Sequence, residues 1–225
     1  MARPRNEEAE ADIRAAAFAQ LLSSGYAKVS YQKVSDATGY SRAFVQHYFP
    51  KKESFLTGLL ESLLHECDAC VADLRDVANI NVSMLLSGQL YFSFLADARH
   101  RVLALDMLES RRLTELAIDF NERYEADRTN ATSAQRTAAL DGLVRIIGGS
   151  YELLFHKLNA GLPFDPLTES LYIVQGYMRL ADISDDSFDA VRAAATLSKK
   201  EVTYSIETIR KNLLDSPATG ASKMN

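Results

Sequence analysis

Arg42 and Gln46 carry the hydrogen-bonding side chains with the clearest chemical use in this 225-residue chain. They are four residues apart, so on a helix they lie on one face. A glutamine can pair with N6 and N7 of adenine, and an arginine can contact a base or a phosphate. The spacing therefore favours a surface that binds the major groove of DNA.

Two short helices are predicted to position these donors. Ser30 has the residue type of an N-cap for a helix over 31–38, and Ser41 for a helix over 42–48. Gly39 lies between them and permits the positive φ of a tight turn.

The apolar positions of these helices predict which face is buried. We expect the inner face to contain Val34, Ala37, Val45 and Phe49, and the outer face to contain Arg42, Gln46 and His47. Two helices joined by a glycine turn, with donors on the outer face of the second, are typical of a major-groove reader.

The charge distribution is compatible with this interpretation. The formal net charge of −5 argues against nucleic acid at first, because phosphate binding is driven by Lys and Arg. Residues 1–60, however, hold eight basic and six acidic residues, for a charge of +2. The remainder holds 17 basic and 24 acidic residues, for a charge of −7. The pattern predicts a mildly basic reading head on an acidic body.

A longer motif surrounds the donors. It consists of Gly25-Tyr26, Val34-Ser35-Asp36-Ala37-Thr38-Gly39-Tyr40-Ser41-Arg42, His47-Tyr48-Phe49-Pro50-Lys51-Lys52-Glu53 and Phe55-Leu56. This motif resembles the N-terminal domain of TetR-family transcriptional regulators over about residues 10–60. The resemblance implies an Ω-shaped, all-helical homodimer with a three-helix DNA-binding domain and a ligand-binding core. It also implies base reading at Arg42 and a phosphate contact at Lys52.

Two positions depart from the family pattern. Phe44 replaces a small hydroxyl residue, and it either touches a thymine methyl group or packs against the first helix. Gln46 replaces a tyrosine. His47 is either a phosphate contact or a packing residue, and Arg3 and Arg5 are candidates for a flexible minor-groove arm. The residues predicted to form the DNA-binding surface are Ser30, Gln32, Ser41, Arg42, Ala43, Phe44, Gln46, His47 and Lys52.

The rest of the chain is predicted to be helical, because no proline occurs between residues 51 and 162. The expected fold class is all-α. After a first helix that stops at Gly25, apolar spacing predicts helices over about 52–76, 82–97, 101–112, 114–130, 134–160, 167–181 and 187–214. The predicted domains are a DNA-binding domain over 1–54 with an arm over 1–8, a ligand-binding and dimerisation domain over 55–215, and a disordered tail over 216–225.

The body supplies candidates for an effector site and for a dimer interface. Aromatic residues at helical spacing are either core or ligand contacts, and polar residues in apolar stretches need a partner. The ligand-binding candidates are Gln89, Phe92, Phe120, Tyr124, Arg145, Tyr151, Phe155 and His156. Glycines inside a helix suggest close helix approach across a twofold axis. The interface candidates are Gly142, Leu143, Ile147, Gly149, Leu171 and Val174.

Several other functions have little support in the sequence. No apolar run is long enough to cross a membrane, and the polar start does not resemble a signal peptide, so we expect a cytoplasmic protein. Cys67 and Cys70 are expected to pack in a helix, with redox or metal sensing as the alternative. Ser30 and Lys33 fit the Ser-x-x-Lys pattern of acyl enzymes, but N-capping explains the serine. We expect no metal, cofactor or catalytic site.

These observations predict a ligand-responsive DNA-binding regulator. We expect a homodimeric repressor that binds a near-palindromic operator in double-stranded DNA and is released by an unidentified small-molecule effector. The alternatives are a helical protein-interaction module, and a small-molecule carrier or enzyme with a degenerate helix-turn-helix. The donor face of Arg42, Gln46 and Lys52 separates them, because only the regulator needs it.

Overall fold

A computed structural model of the protein describes residues 6–119, 133–180, 185–194 and 196–215. These residues contain helices and no strand, which confirms the all-α prediction. The helices are α1 (Glu7–Ser24), α2 (Tyr31–Thr38), α3 (Arg42–Tyr48), α4 (Glu53–Leu74), α5 (Ile80–Ala96), α6 (Arg101–Glu109), α7 (112–119), α8 (Ser133–Ala160), α9 (Pro166–Leu180), α10 (Asp185–Ala194) and α11 (Lys199–Asp215). A 3₁₀ turn over Ala98–His100 joins α5 to α6. Residues 1–5 of the predicted arm over 1–8, with Arg3 and Arg5, and the predicted tail over 216–225 lie outside the described residues. Glu7 and Glu8 of that arm belong to α1.

Local sequence signals explain the ends of α1. The side chain of Asn6 accepts a hydrogen bond from the Ala9 amide, which caps the first turn. The helix stops at Gly25, whose φ of 81° suits a residue without a Cβ atom. The predicted stop at Gly25 is confirmed.

The helix α4 connects the predicted DNA-binding domain, here called the head, to the rest of the chain, here called the body. Its buried face is continuous from Phe55 in the head to Val71 in the body. It packs against α1, α5 and α11. The predicted domain boundary at residue 54 falls inside this helix, so the head and the body share one rigid element.

The break between α6 and α7 was misplaced by the sequence pattern. Helices were expected over 101–112 and 114–130, but α6 ends at Glu109 and α7 occupies 112–119. The Ser110 hydroxyl donates to the carbonyl of Asp106, and Arg111 has a φ of 58°. A serine that satisfies the last carbonyls and a left-handed residue end the helix without glycine or proline. The expected continuation to residue 130 lies outside the described residues.

The single helix expected over 187–214 is two helices, α10 and α11. Residues 196–198 are not helical, and Ser198 and Glu201 form a capping box at the start of α11. The Ser198 amide donates to Glu201 Oε2 at 2.7 Å, and the Glu201 amide donates to Ser198 Oγ at 3.3 Å. The pattern Ser-x-x-Glu is a start signal for a helix, so the break was readable in the sequence.

Helix α11 binds the body to the head. Its main contacts are with α4, α1 and α5. Asn212 donates to Glu66 of α4 at 2.7 Å, and Glu201 pairs with Arg75 at 3.2 Å. Glu207 pairs with Arg99 of the 3₁₀ turn at 2.6 Å. Helix α11 therefore packs mainly against α4 and not against α8 and α9.

Candidate DNA-binding surface

The turn chemistry of α2 and α3 follows the sequence prediction. Ser30 Oγ accepts from the Lys33 amide at 3.3 Å, and Ser41 Oγ accepts from the Phe44 amide at 3.2 Å. Gly39 has a φ of 75° and ends α2 in the left-handed conformation. Both predicted caps and the glycine turn are confirmed.

The predicted inner face is correct at three of its four positions. Val34, Val45 and Phe49 are buried in the core. Ala37 is exposed, contrary to the prediction. Three residues along a helix turn by about 300°, so Ala37 lies about 60° away from Val34, beyond the narrow buried stripe of this short helix.

The outer face of α3 presents donors to solvent. Arg42, Ala43, Gln46 and His47 are all exposed. The side chains of Arg42 and Gln46 form no hydrogen bond or ion pair with the described residues, while the His47 ring lies edge-on to Tyr48 at 5.6 Å. The donors that the sequence placed on this face are therefore available to a ligand.

Phe44 is half-buried in a row of aromatic rings. Its centroid lies 5.0 Å from the ring of Tyr40 and 5.0 Å from the ring of Tyr48. The Tyr40 hydroxyl donates to Asp12 Oδ2 at 3.1 Å, and this bond raises the pKa of Tyr40. The Tyr48 hydroxyl accepts from the Asn6 amide at 3.0 Å. Phe44 thus packs against Tyr40 and Tyr48, and these two tyrosines, rather than Phe44 itself, are bonded to the start of the chain and to α1.

Lys52 lies against the head itself. Its ammonium is 4.4 Å from the centroid of the Tyr26 ring and 3.4 Å from the Ala27 carbonyl oxygen. Such a cation–π contact holds the side chain in place. Lys51 beside it is exposed, and its side chain has no partner among the described residues. Lys51 is not among the residues predicted from the sequence to bind DNA, although it lies beside Lys52 in the motif.

Two other predicted contacts are used inside the head. Ser30 is committed to its cap, and Gln32 Nε2 donates to Asp36 Oδ1 at 2.7 Å. Both residues remain at the edge of the surface, but neither is an unengaged donor like Arg42.

The body touches the head near the end of α1. Asp106 Oδ2 of α6 accepts from the Ala27 amide at 3.0 Å, and Arg112 of α7 pairs with Glu53 at 3.8 Å. A Cβ atom on Gly25 would lie 2.5 Å from Asp106 Oδ2. No sequence signal indicated these contacts, because the partners are 59 to 81 residues apart.

Part of the predicted effector set lies together in the body. The rings of Phe92 and Tyr151 are 6.2 Å apart, and Phe164 lies 5.7 Å from Phe92. The hydroxyls of Tyr91 and Tyr151 are hydrogen-bonded at 3.0 Å, and burial raises the pKa of Tyr151 to about 12. Phe155 is half-buried. Phe120 and Tyr124 lie outside the described residues.

The polar members of that set behave differently from one another. Gln89 is buried, and its Oε1 accepts from the Leu197 amide at 3.4 Å, so it anchors the segment before α11. Arg145 and His156 are exposed in the protomer, so the expectation that they are buried polar groups is wrong. Both lie on the same face of α8 as the exposed Gly149, because Arg145 is four residues before Gly149 and His156 is seven residues after it.

The six residues predicted for the dimer interface lie in different environments. Val174 and Leu143 are buried within the protomer, so they do not lie at the centre of a surface. A Cβ atom on Gly142 would meet Leu180 of the same chain at 2.5 Å, so this glycine serves internal packing. Ile147 and Leu171 are half-buried. Gly149 is exposed, with nothing within 4 Å of a Cβ atom.

A narrow apolar groove runs between α7 and α8. It is lined by Thr114, Ala117, Ile118, Leu143, Val144 and Ile147. Its empty volume is about 180 Å³, including space open to solvent. Pockets for drug-sized ligands are typically about 300–1,000 Å³, so this groove is too small to hold such a ligand as it stands.

The two cysteines are buried thiols with raised pKa values. Cys67 and Cys70 are free and buried in α4. Burial raises the pKa of Cys67 well above its ordinary value and that of Cys70 to about 11. Because the thiolate is the reactive form, these values favour packing over redox or metal sensing.

Three helices with capped turns and an exposed donor face on the third define a helix-turn-helix DNA-binding head. Residues 13–59 match the family model of bacterial regulatory proteins of the tetR family. These residues therefore form a domain of the kind found at the N-terminus of TetR-family regulators, which supports a DNA-binding transcriptional regulator. No curated protein and no solved structure matches the chain. Among the described helices, none is long and apolar enough to span a bilayer.

Proposed function

We propose that the protein is a homodimeric, ligand-responsive repressor that binds a near-palindromic operator and is released by a small-molecule effector. The observation that carries this proposal is the exposed, unengaged pair of donors Arg42 and Gln46 on α3. Their side chains are free to contact base edges, while the backbone of α3 is held by the Ser41 cap and the buried Val45.

The outer face of α8 and α9 supports a twofold interface. Its exposed apolar side chains are Leu153 at 40%, Tyr172 at 56% and Leu180 at 43% exposure, beside Gly149. Exposed apolar residues around a glycine allow two helices to approach closely. The proposed interface is centred on these residues instead of Leu143 and Val174. Binding of two half-sites requires the two copies of α3 to lie in major grooves about 34–36 Å apart or more.

Effector control is proposed to act through α4 and α6. Helix α4 enters the head at Glu53, and α6 holds the loop after α1 through Asp106. The aromatic cluster of Phe92, Tyr151 and Phe164 is the proposed effector region. A ligand that reverses the equilibrium from 1:99 to 99:1 must prefer one state by about 5.5 kcal/mol.

Selection from random double-stranded DNA with the purified full-length protein tests the proposal. We expect enrichment of a near-palindromic sequence, and binding of that sequence should weaken as salt rises. Arg42→Ala should lose the enrichment, whereas Arg192→Ala, at an exposed position of α10 in the body, should keep it. A wild-type protein that enriches no sequence would favour the protein-interaction module or the small-molecule carrier.

A further inference from the structure

The rings of Tyr40, Phe44 and Tyr48 form one continuous aromatic row along α3. Tyr40 precedes the helix, Phe44 lies in its first turn and Tyr48 is its last residue. The spacing of four residues brings each ring onto the next, at 5.0 Å between centroids on both sides of Phe44. Phe44 is the only ring of the row that contacts both others.

Both ends of the aromatic row are bonded to α1. The Tyr40 hydroxyl donates to Asp12, and the Tyr48 hydroxyl accepts from the amide of Asn6, the N-cap of α1. Asn6 and Asp12 are six residues apart, or about 9 Å along a helix axis. Each attachment lies away from the axis of α3 and so resists rotation of that helix, and the separation between the two also resists tilting.

The rotation of α3 determines where its outer donors point. Arg42 and Gln46 project from the same short helix that carries Phe44. Hydrogen bonds to base edges require donor–acceptor distances of about 2.7–3.2 Å and near-linear geometry. A small rotation of α3 would therefore move both side chains out of register with the bases.

We propose that Phe44 is a positioning residue for DNA reading, which fixes the rotation of α3 against α1 through Tyr40 and Tyr48. This inference rests on the proposed function and deepens it. Phe44 acts through the two tyrosines and does not itself read a thymine methyl group. The bases that Arg42 and Gln46 select depend on the intact row.

Removing the Asp12 side chain should change two measured quantities in opposite directions, the non-specific affinity for DNA and the preference for the operator. Asp12 is exposed on the head, so its negative charge opposes binding to any DNA. Removing that charge should raise non-specific affinity. If the Asp12 carboxylate also positions α3 through Tyr40, removing the acceptor should lower the preference for the operator.

The first experiment compares Asp12→Asn with Asp12→Ala by fluorescence anisotropy. The probes are the operator selected by the wild type and a scrambled duplex of the same length. The asparagine keeps an acceptor and removes the charge, whereas the alanine removes both. We expect both variants to bind the scrambled duplex more tightly. Only Asp12→Ala should lose operator preference, by about tenfold. An equal operator preference in the two variants would overturn the proposal.

The second experiment changes the middle ring. Phe44→Leu should reduce operator affinity by about tenfold and broaden the selected bases, with little effect on the scrambled duplex. Phe44→Tyr keeps the ring and should restore wild-type preference. Thermal unfolding shows whether each variant is folded. If Phe44→Leu is not folded, the comparison of Asp12→Asn with Asp12→Ala tests the proposal, because Asp12 is exposed.

Replacing operator thymines with deoxyuridine distinguishes positioning from direct contact. The proposal would be overturned if the loss of one thymine methyl group weakened operator binding by the wild type as much as Phe44→Leu does. The same loss would then have no further effect on operator binding by Phe44→Leu. A wild type that enriches no sequence would refute the proposed function and this inference together. An enriched operator with unchanged preference in Phe44→Leu would refute the inference alone.

Discussion

The carboxylate of Asp106 accepts a hydrogen bond from the backbone amide of Ala27 at 3.0 Å, which joins helix α6 of the body to the loop after α1. Gly25 makes this approach possible. Its φ is 81° and its ψ is 167°, a conformation open essentially to glycine alone. A Cβ atom there would also lie 2.7 Å from Val102 Cγ1. The head and the body are thus in contact at a position where no side chain fits.

Gly25→Ala should destabilise the protein more than Gly39→Ala. Both glycines have positive φ, so both variants should lose about 1–3 kcal/mol through backbone strain, with the larger loss at Gly25 because its conformation is open essentially to glycine alone. Gly39 has nothing within 4 Å of a Cβ atom, whereas Gly25 faces α6. The clash should cost Gly25→Ala about 1–3 kcal/mol more. Urea unfolding measures the difference, and equal losses would show that α6 does not press on this loop.

Arg42, Lys51 and Lys52 should contribute differently to DNA binding. Arg42→Ala should lower specific affinity by about 1–3 kcal/mol. Lys52→Ala and Lys51→Ala should weaken binding to all sequences and flatten the salt dependence, by about 0.9 in slope for each lost phosphate contact. Only Lys52→Ala should also lower thermal stability, because Lys52 packs on Tyr26. Titrations at several salt concentrations provide the slopes, and a wild-type slope in Lys52→Ala would remove it from the phosphate contacts.

His100 should make stability depend on pH as the pH falls below about 7. It is buried, its Nδ1 lies 2.9 Å from the Phe94 carbonyl oxygen, and its ring stacks on Phe94. Burial lowers the pKa of His100, an effect that Asp97 opposes and that Arg99 and Arg210 reinforce. The unfolded chain therefore takes up this proton first as the pH falls below about 6.5. As the pH falls, protonation of His100 should lower the free energy of unfolding by at most about 1.4 kcal/mol per pH unit.

His100→Asn isolates that effect. An asparagine amide can still donate to the Phe94 carbonyl but does not titrate. We expect the variant to be less stable than the wild type at pH 7.5 and to have a shallower slope of unfolding free energy between pH 7 and pH 5. Urea unfolding at four pH values gives both slopes. Identical slopes would contradict a role for His100.

Gly149 should be sensitive to a bulky charged residue if the outer face of α8 and α9 is the dimer interface. Gly149→Glu adds charge and volume at an exposed position with nothing within 4 Å in the protomer. We expect dissociation to monomers without loss of protomer helicity. Thr203→Glu, on the exposed side of α11, is the matched control and should remain dimeric. Sedimentation velocity distinguishes the species, and an intact Gly149→Glu dimer would place the interface elsewhere.

Local sequence determined the DNA-binding head almost completely. Ser30 and Ser41 cap their helices, Gly25 and Gly39 end theirs, and each signal acts within a few residues of the element it sets. The exposed position of Arg42 follows from the same periodicity that buries Val45. The start of α11 at its capping box belongs to this class, since Ser198 and Glu201 are three residues apart.

Tertiary structure alone decided the partners of these side chains. A periodic pattern shows which face of a helix is apolar, but it does not show which neighbour covers that face. Phe44 lies between two tyrosines that are bonded to α1 and its N-cap. Lys52 lies on the ring of Tyr26, which belongs to the loop after α1. The contact of Asp106 with Ala27 joins residues 79 apart in sequence. Such pairs form only when the whole chain packs, because no local free energy favours one distant partner over another.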